Sequence, residues 1–380
     1  MDVWSELVTV TSQPYYERLK KGKEDAAKKI IGCFGLYVPE EMIHALGMLP
    51  VVLFCGPEPI TLGDLHWQAY MCSPVRGITD LACKGQLDFL DGMVIHDCCH
   101  EIRGSVDVLK LSAPNLRSVI KPMWFPKILK RKQTKPRIME ELNIFRDWLQ
   151  QVAGQEMTAE SLQRSIQVYN ENRDLLIKLY DIRRSKPGIL SAKQVQHIVL
   201  AGMQMPKEEH NELLKKLLAE LASTKAPKDN SVKIVLHGSL CNEVPGNILD
   251  IIEQVGGTVV DDDLYVGSRY FVTKAPLLID PLEALADRYI NMIPPCPTTQ
   301  NPSNDLGQYL VNMANRSGPS GVINIITKFC EAHCHIYPWI RYALRDAGIP
   351  ELLIETEHGV TSFAPVKTRI QTFVEMIRGE

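Results

Sequence analysis

The sequence predicts an α/β fold: two Rossmann-like, doubly wound parallel-sheet domains with an additional helical segment between them. Three observations carry that expectation. Apolar strand-like runs alternate with helical stretches over about 28–125 and again over about 232–380, the alternation expected of βαβ units. The intervening residues, about 158–223, show only helical periodicity. The second block repeats the first in outline, and its third strand likewise ends in cysteine, Cys330 against Cys98 and Cys99. The expected divisions are an N-terminal helical segment at 1–27, a first α/β domain at 28–150, a helical connector or lid at 151–230 and a second α/β domain at 231–380.

Each element has a local reason. "KKIIGCFGLYVPEE" reads as a buried strand, a turn and a helix opened by Pro39, with Glu40 and Glu41 in its first turn. Gly47 ends that helix as a C-cap residue. "MLPVVLFCG" is a second strand, "CSPVRGITDLACKGQ" a helix with Pro74 near its start, "FLDGMVIHDCC" contains a third strand, and "APNLRSVIKPMWFP" supplies a fourth. In the middle, Leu162, Ile166, Tyr169, Leu176 and Leu179 recur at helical spacing, and two further helices start at Ser191 and Pro206. After the polar linker "TKAPKDNS", the second block offers strands in "VKIVLHGSL", "TVVDDDL", "GVINIITKFCEAHC" and "IPELLIETEH". Its helices are expected in "VPGNILDIIEQVGG" and "NPSNDLGQYLVNMANRSG".

Composition narrows the function classes. A net charge of −3 over 380 residues gives no reason to expect nucleic acid or an anionic membrane as partner. No apolar run approaches the ~20 residues that span a bilayer, and the N-terminus lacks the order of a signal peptide. A cytoplasmic protein is expected, in which the ten cysteines stay reduced and act as buried hydrophobes or as metal or redox ligands.

Ligands of open parallel sheets sit outside the carboxyl ends of the strands. Cys99 and Cys330 are expected there, one from each block, and Cys72 opens a helix at the same edge. Three thiolates between two domains make a soft-metal site. Widely spaced single cysteines fit an iron–sulfur cluster. Zinc stays open through "CEAHCH", although no C-x2-C pair occurs. Burial in the core is the third reading. Cys98 and Cys334, beside Cys99 and Cys330, are possible additional ligands, but neighbours on an extended chain point opposite ways. Burial is the better reading for Cys55, Cys83, Cys241 and Cys296, while Cys33 lies in strand one and reaches the same edge.

His96, His100, His333 and His335 crowd the same strand ends. His96 and His100 are the candidate proton donors; a supporting hydrogen bond or a solvated loop is the alternative for each. In "LHGSLCNEVPGN", Gly238 and Ser239 form a strand-to-helix turn that can hold phosphate or carbonyl oxygens. "DDDLYVGSRYF" adds Ser268 and Arg269 as further candidate contacts, Arg269 for a phosphate, with the alternative that Arg269 pairs with Asp261, Asp262 or Asp263. Dinucleotide and ATP fingerprints are absent, so no flavin or NAD is expected.

The runs "YVPEEMIHALGMLPV", "CSPVRG", "DFLDGMVIHDCCHEIRG", "DDDLYVGSRYF", "KFCEAHCHIYP" and "LLIETEH" resemble the 2-hydroxyacyl-CoA dehydratase and benzoyl-CoA reductase family, in order and over nearly the whole chain. The resemblance implies an iron–sulfur cluster held by Cys72, Cys99 and Cys330, a [4Fe-4S] cluster in the ordinary case. It implies a homologous second catalytic subunit, a separate ATP-hydrolysing iron–sulfur activator that injects a low-potential electron, and an acyl-CoA thioester as substrate. Dehydratase chains typically show one cysteine where this chain has Cys98 and Cys99, and none at Cys334. The surplus thiols point to the benzoyl-CoA reductase branch or to a larger double-cubane cluster. The expectation is therefore an iron–sulfur catalytic subunit of a benzoyl-CoA-reductase-like enzyme. The alternatives are a 2-hydroxyacyl-CoA dehydratase subunit and a non-catalytic electron-relay partner or double-cubane reductase.

Overall fold

A computed structural model of the chain describes residues 3–11, 15–26, 28–56, 58–228, 230–239, 246–277, 280–300, 305–318, 320–360 and 362–379. All eight expected strands form. The first sheet holds β1 (Ile30–Phe34), β2 (Leu49–Val52), β3 (Gly92–His96) and β4 (Ile120–Met123) in the order β2-β1-β3-β4. The second holds β5 (Val232–Gly238), β6 (Gly257–Asp263), β7 (Ser320–Thr327) and β8 (Glu351–Thr356) in the order β6-β5-β7-β8. Every pairing is parallel. The two sheets thus share one topology, as the repeat in the sequence implies, and strand order reverses between the first and third strands of each. That reversal opens a crevice at the carboxyl ends of the strands.

Parallel strands covered on both faces need unbroken apolar runs. β1 and β3 are buried at every position. The turn after β1 needs a residue at φ +102°, and Gly35 supplies it. At the end of β5 the constraint is proximity: a Cβ on Gly238 would stand 2.4 Å from the Ile325 carbonyl oxygen of β7.

The helical middle consists of Ala159–Ser185, Ala192–Gly202 and Lys207–Ser223. Thr158 caps the first by accepting from Ser161 N at 3.0 Å, and Ser191 with Gln194 forms a capping box on the second. The first helix is tied to both halves by buried ion pairs, Arg173 to Glu41 and Arg183 to Asp262. A further helix, Thr134–Ala153, fills a stretch that the pattern reading leaves unassigned. The N-terminal segment forms Val3–Thr11 and Tyr15–Ala26.

Leu7, Ile31, Val94, Ile166, Leu179 and Val199 belong to one hydrophobic core that spans the first sheet and the helical layer. Tyr265, Phe271, Ala284 and Tyr289 join that core although they follow β6 in sequence. Two smaller cores lie on the faces of the second sheet. No helix among the described residues is long and apolar enough to cross a membrane. Cys241 and the rest of the turn after Ser239 lie outside the described residues.

Candidate functional site

Cys99 and Cys330 occupy equivalent places in the two halves. β3 ends at His96 and β7 at Thr327, and three residues beyond each strand a cysteine is the N-cap of the next helix, His100–Ser112 or Glu331–Asp346. Cys72 caps the helix Ser73–Cys83, which precedes β3. In the second half the helix preceding β7, Leu306–Arg316, is capped by Asp305 instead. The repeat therefore supplies two cysteines by symmetry and one by departing from it.

At all three caps the amide three residues on acts on the thiol. Ile102 N donates to Cys99 Sγ at 3.5 Å. Cys72 and Cys330 make no capping bond, but the amides of Val75 and His333, again three residues on, favour their thiolates. Burial outweighs that help and pushes the Cys330 thiol up to about 12. Cys72 is raised further by burial and by the facing Cys330, and the carboxylate of Glu101 acts on both in the same direction. Cys72 and Cys330, from opposite halves, thus share one neighbourhood with Glu101, the second residue of the Cys99 helix. Among the described residues no three Cys, His, Asp or Glu side chains form a group able to hold a single metal ion. A multi-iron cluster holds its ligating sulfurs farther apart, and three thiols on three helix N-termini fit its charge and its ligand chemistry.

Cys98 lies beside this group: its thiol is hydrogen-bonded to Cys99 and its charge acts on Cys72. It is buried; Tyr265 OH donates to its Sγ at 3.6 Å and Thr298 Oγ1 to its carbonyl at 2.6 Å. A hydrogen bond from Cys99, opposed by burial and helped by His96, holds the Cys98 thiol well below its ordinary range. Cys334 is exposed one helical turn beyond Cys330, its N–H donating to the Cys330 carbonyl at 2.9 Å.

The candidate proton donors separate. His96 is fully buried, with ring contacts to Tyr37, Phe125 and Tyr289 at 5.7, 5.1 and 5.9 Å. Burial lowers its pKa. His100 is exposed and stands with Cys99, Arg103, Trp124, Lys127 and Arg137 on an open cavity of about 500 Å³. His333 is buried beside Cys330, its Nδ1 3.5 Å from the sulfur.

The residues expected to recognise oxygen and phosphate are engaged within the fold. Arg269 donates to Asp263 at 2.6 Å and to the Pro295 carbonyl at 3.0 Å, and is 4% exposed. The internal pairing is thus the arrangement observed. Ser268 N donates to Asp262 Oδ1 at 2.9 Å. Ser239 joins β5 to β7, its Oγ accepting from Thr327 N at 2.7 Å. The three consecutive aspartates divide their partners: Asp261 takes Arg184 and Arg316, Asp262 takes Arg183, and Asp263 takes Arg269 and His237.

Sequence reasoning misses the clamp between the halves. Arg76, in the first turn of the Cys72 helix, reaches Glu357 just beyond β8 at 3.1 Å and Asp64 at 2.8 Å. Arg76 and Glu357 lie in runs that stand out for other reasons, "CSPVRG" and "IETEH", but nothing in the spacing joins residues so far apart. Tyr265 and Thr298, which hold Cys98, escape it for the same reason.

Two parallel sheets of one topology, with cysteine-capped helices at both strand-order reversals, define the class as a paired α/β protein. Residues 35–377 match the model of the family described as 2-hydroxyglutaryl-CoA dehydratase, D-component, and the chain belongs to that family. It is 28% identical to the (R)-phenyllactyl-CoA dehydratase beta subunit of Clostridium sporogenes, covering 94% of each chain. It is also 28% identical to a benzoyl-CoA reductase subunit of Thauera aromatica, over 93% of this chain and 92% of the relative. Identity to the (R)-2-hydroxyglutaryl-CoA dehydratase beta subunit of Acidaminococcus fermentans is 26%, over 92% and 93%.

Proposed function

We propose that this chain is the iron–sulfur subunit of an ATP-dependent, benzoyl-CoA-reductase-like enzyme, with Cys72, Cys99 and Cys330 as cluster ligands. The observation that carries the reading is that all three cysteines, from both halves, cap helices, and that Cys72 and Cys330 face each other across the halves. The bound cluster supplies one-electron transfer at low potential. The chain's own residues do the rest. The Arg76–Glu357 pair holds the Cys72 helix against the second half. The cavity beside Cys99 receives the acyl-CoA thioester, with Arg103 and Lys127 as cations for its phosphates and His100 as proton donor. His96, sealed among aromatic rings, serves to shape the strand end. The electron comes from a separate ATP-hydrolysing activator, and the enzyme is completed by a second, homologous chain. The names of the relatives, each a subunit, support the second chain.

A second reading, a subunit of a 2-hydroxyacyl-CoA dehydratase, is supported by the equal identity to the phenyllactyl-CoA enzyme. Product analysis separates the two. Reduced, activated complex incubated with benzoyl-CoA and with 2-hydroxyacyl-CoA thioesters is expected to give a dearomatised ring from the first. Dehydrated product from the second, with benzoyl-CoA untouched, would replace the reductase reading by the dehydratase one.

A further inference from the structure

A second thiol–imidazole arrangement lies on the opposite side of the Cys72 helix. Cys55 follows β2 and is 8% exposed. Its Sγ stands 3.9 Å from Nδ1 of His358, which comes from the other half of the molecule, beyond β8. Nε2 of His358 is 2.8 Å from the Glu58 carbonyl oxygen. A carbonyl only accepts, so Nε2 carries the hydrogen, and Nδ1 of the neutral ring presents its lone pair to the thiol.

Cys55 stands at the wall of a cavity of about 750 Å³, a volume typical of small-molecule sites. Tyr16, Ile60, Leu81 and Phe89 give it apolar surface; Lys20 and Lys84, the latter paired with Asp80, share the rest of the wall with Glu17, Glu58 and Asp88. On its other side Cys55 abuts the Cys72 helix, where a Cβ on Gly77 would come 2.1 Å from the Cys55 Cβ and 3.1 Å from its Sγ.

We infer that Cys55 is a modification site at which low-molecular-weight disulfides form a mixed disulfide, with His358 as base. The thiol proton passes to Nδ1 of His358 while the sulfur attacks one sulfur of the incoming disulfide. That S–S bond breaks, and the departing thiolate takes the proton from the imidazole. One mixed disulfide and one free thiol result, and the external disulfide is the oxidant consumed. A neighbouring imidazole is what activates a cysteine nucleophile, and the cavity has room for the added group. The inference is independent of the iron–sulfur reading.

The test uses the full chain, purified anaerobically, with the aromatic disulfide dithionitrobenzoate as probe and peptide mass mapping as readout. Cys55 is expected to be modified at least about tenfold faster than Cys33, which is buried in β1 without such an imidazole. His358→Gln keeps an amide for the Glu58 carbonyl but cannot take a proton, and is expected to slow Cys55 about tenfold while Cys83 and Cys334 react as before. Ile60→Trp, which narrows the cavity and leaves His358 in place, is expected to slow the same site and serves if His358→Gln lowers the melting temperature sharply. Modification of Cys55 no faster than that of Cys33, or at an unchanged rate in folded His358→Gln or Ile60→Trp, would overturn the inference.

Discussion

Cys98 and Cys99, adjacent thiols joined by a hydrogen bond, differ in the rest of their surroundings. Cys99 caps a helix and faces the open cavity, while Cys98 turns inward to Tyr265. Replacing Cys98 with Ser is therefore expected to leave the iron content of the purified chain unchanged; loss of iron in that variant would make it a ligand of a larger cluster. The fate of Arg269 is not legible in the sequence. Its pairing with Asp263 depends on how the short helix Ser268–Phe271 folds back on β6, which no local pattern records. His210 carries a pH prediction. Burial, reinforced by Lys207, pushes its imidazole down from 6.5 to about 3. Below about pH 6.5 the unfolded chain binds a proton that the folded chain refuses, so stability falls as pH drops towards 3. Urea unfolding at pH 7 and pH 5 is expected to differ by about 2 kcal/mol from this residue alone, and His210→Gln should remove that portion.

Strands and helices are the most legible features, and the reasons are physical. β1 and β3 are covered on both faces, so their sequences are unbroken apolar runs bounded by turn residues. The caps at Thr158 and Ser191 announce their helices chemically. What stays hidden is how elements are tied to one another. Arg183 on the long helix pairs with Asp262 at 2.8 Å, and both side chains are buried. Removing one partner leaves a buried charge, so Arg183→Met is expected to cost about 3–5 kcal/mol. The double variant Arg183→Met with Asp262→Leu should recover much of it in chemical denaturation. An additive double variant would show that the pair is not a unit. Gly238→Ala tests the close approach of β5 and β7, and the clash with the Ile325 carbonyl is expected to cost about 1–3 kcal/mol.

At the scale of the molecule, the repeated strand order puts a cysteine-capped helix after the third strand of each half, and the cysteine-ended third strands are its trace in the sequence. Cys72 is legible only as a helix start; that it faces Cys330 is a property of how the halves meet. The Arg76–Glu357 contact is part of that meeting, and a double-mutant cycle to Ala on the two residues is expected to give a coupling of about 1 kcal/mol. A zero coupling would place the work of holding the halves elsewhere. The central claim is that cysteines from both halves hold one iron–sulfur cluster. Iron and sulfide are to be measured on anaerobically purified chain and on Cys72→Ala, Cys99→Ala and Cys330→Ala, with circular dichroism as the check on folding. About four irons per chain are expected in the parent, with loss of the iron–sulfur absorption in each variant. Stoichiometric iron retained in all three folded variants would contradict it.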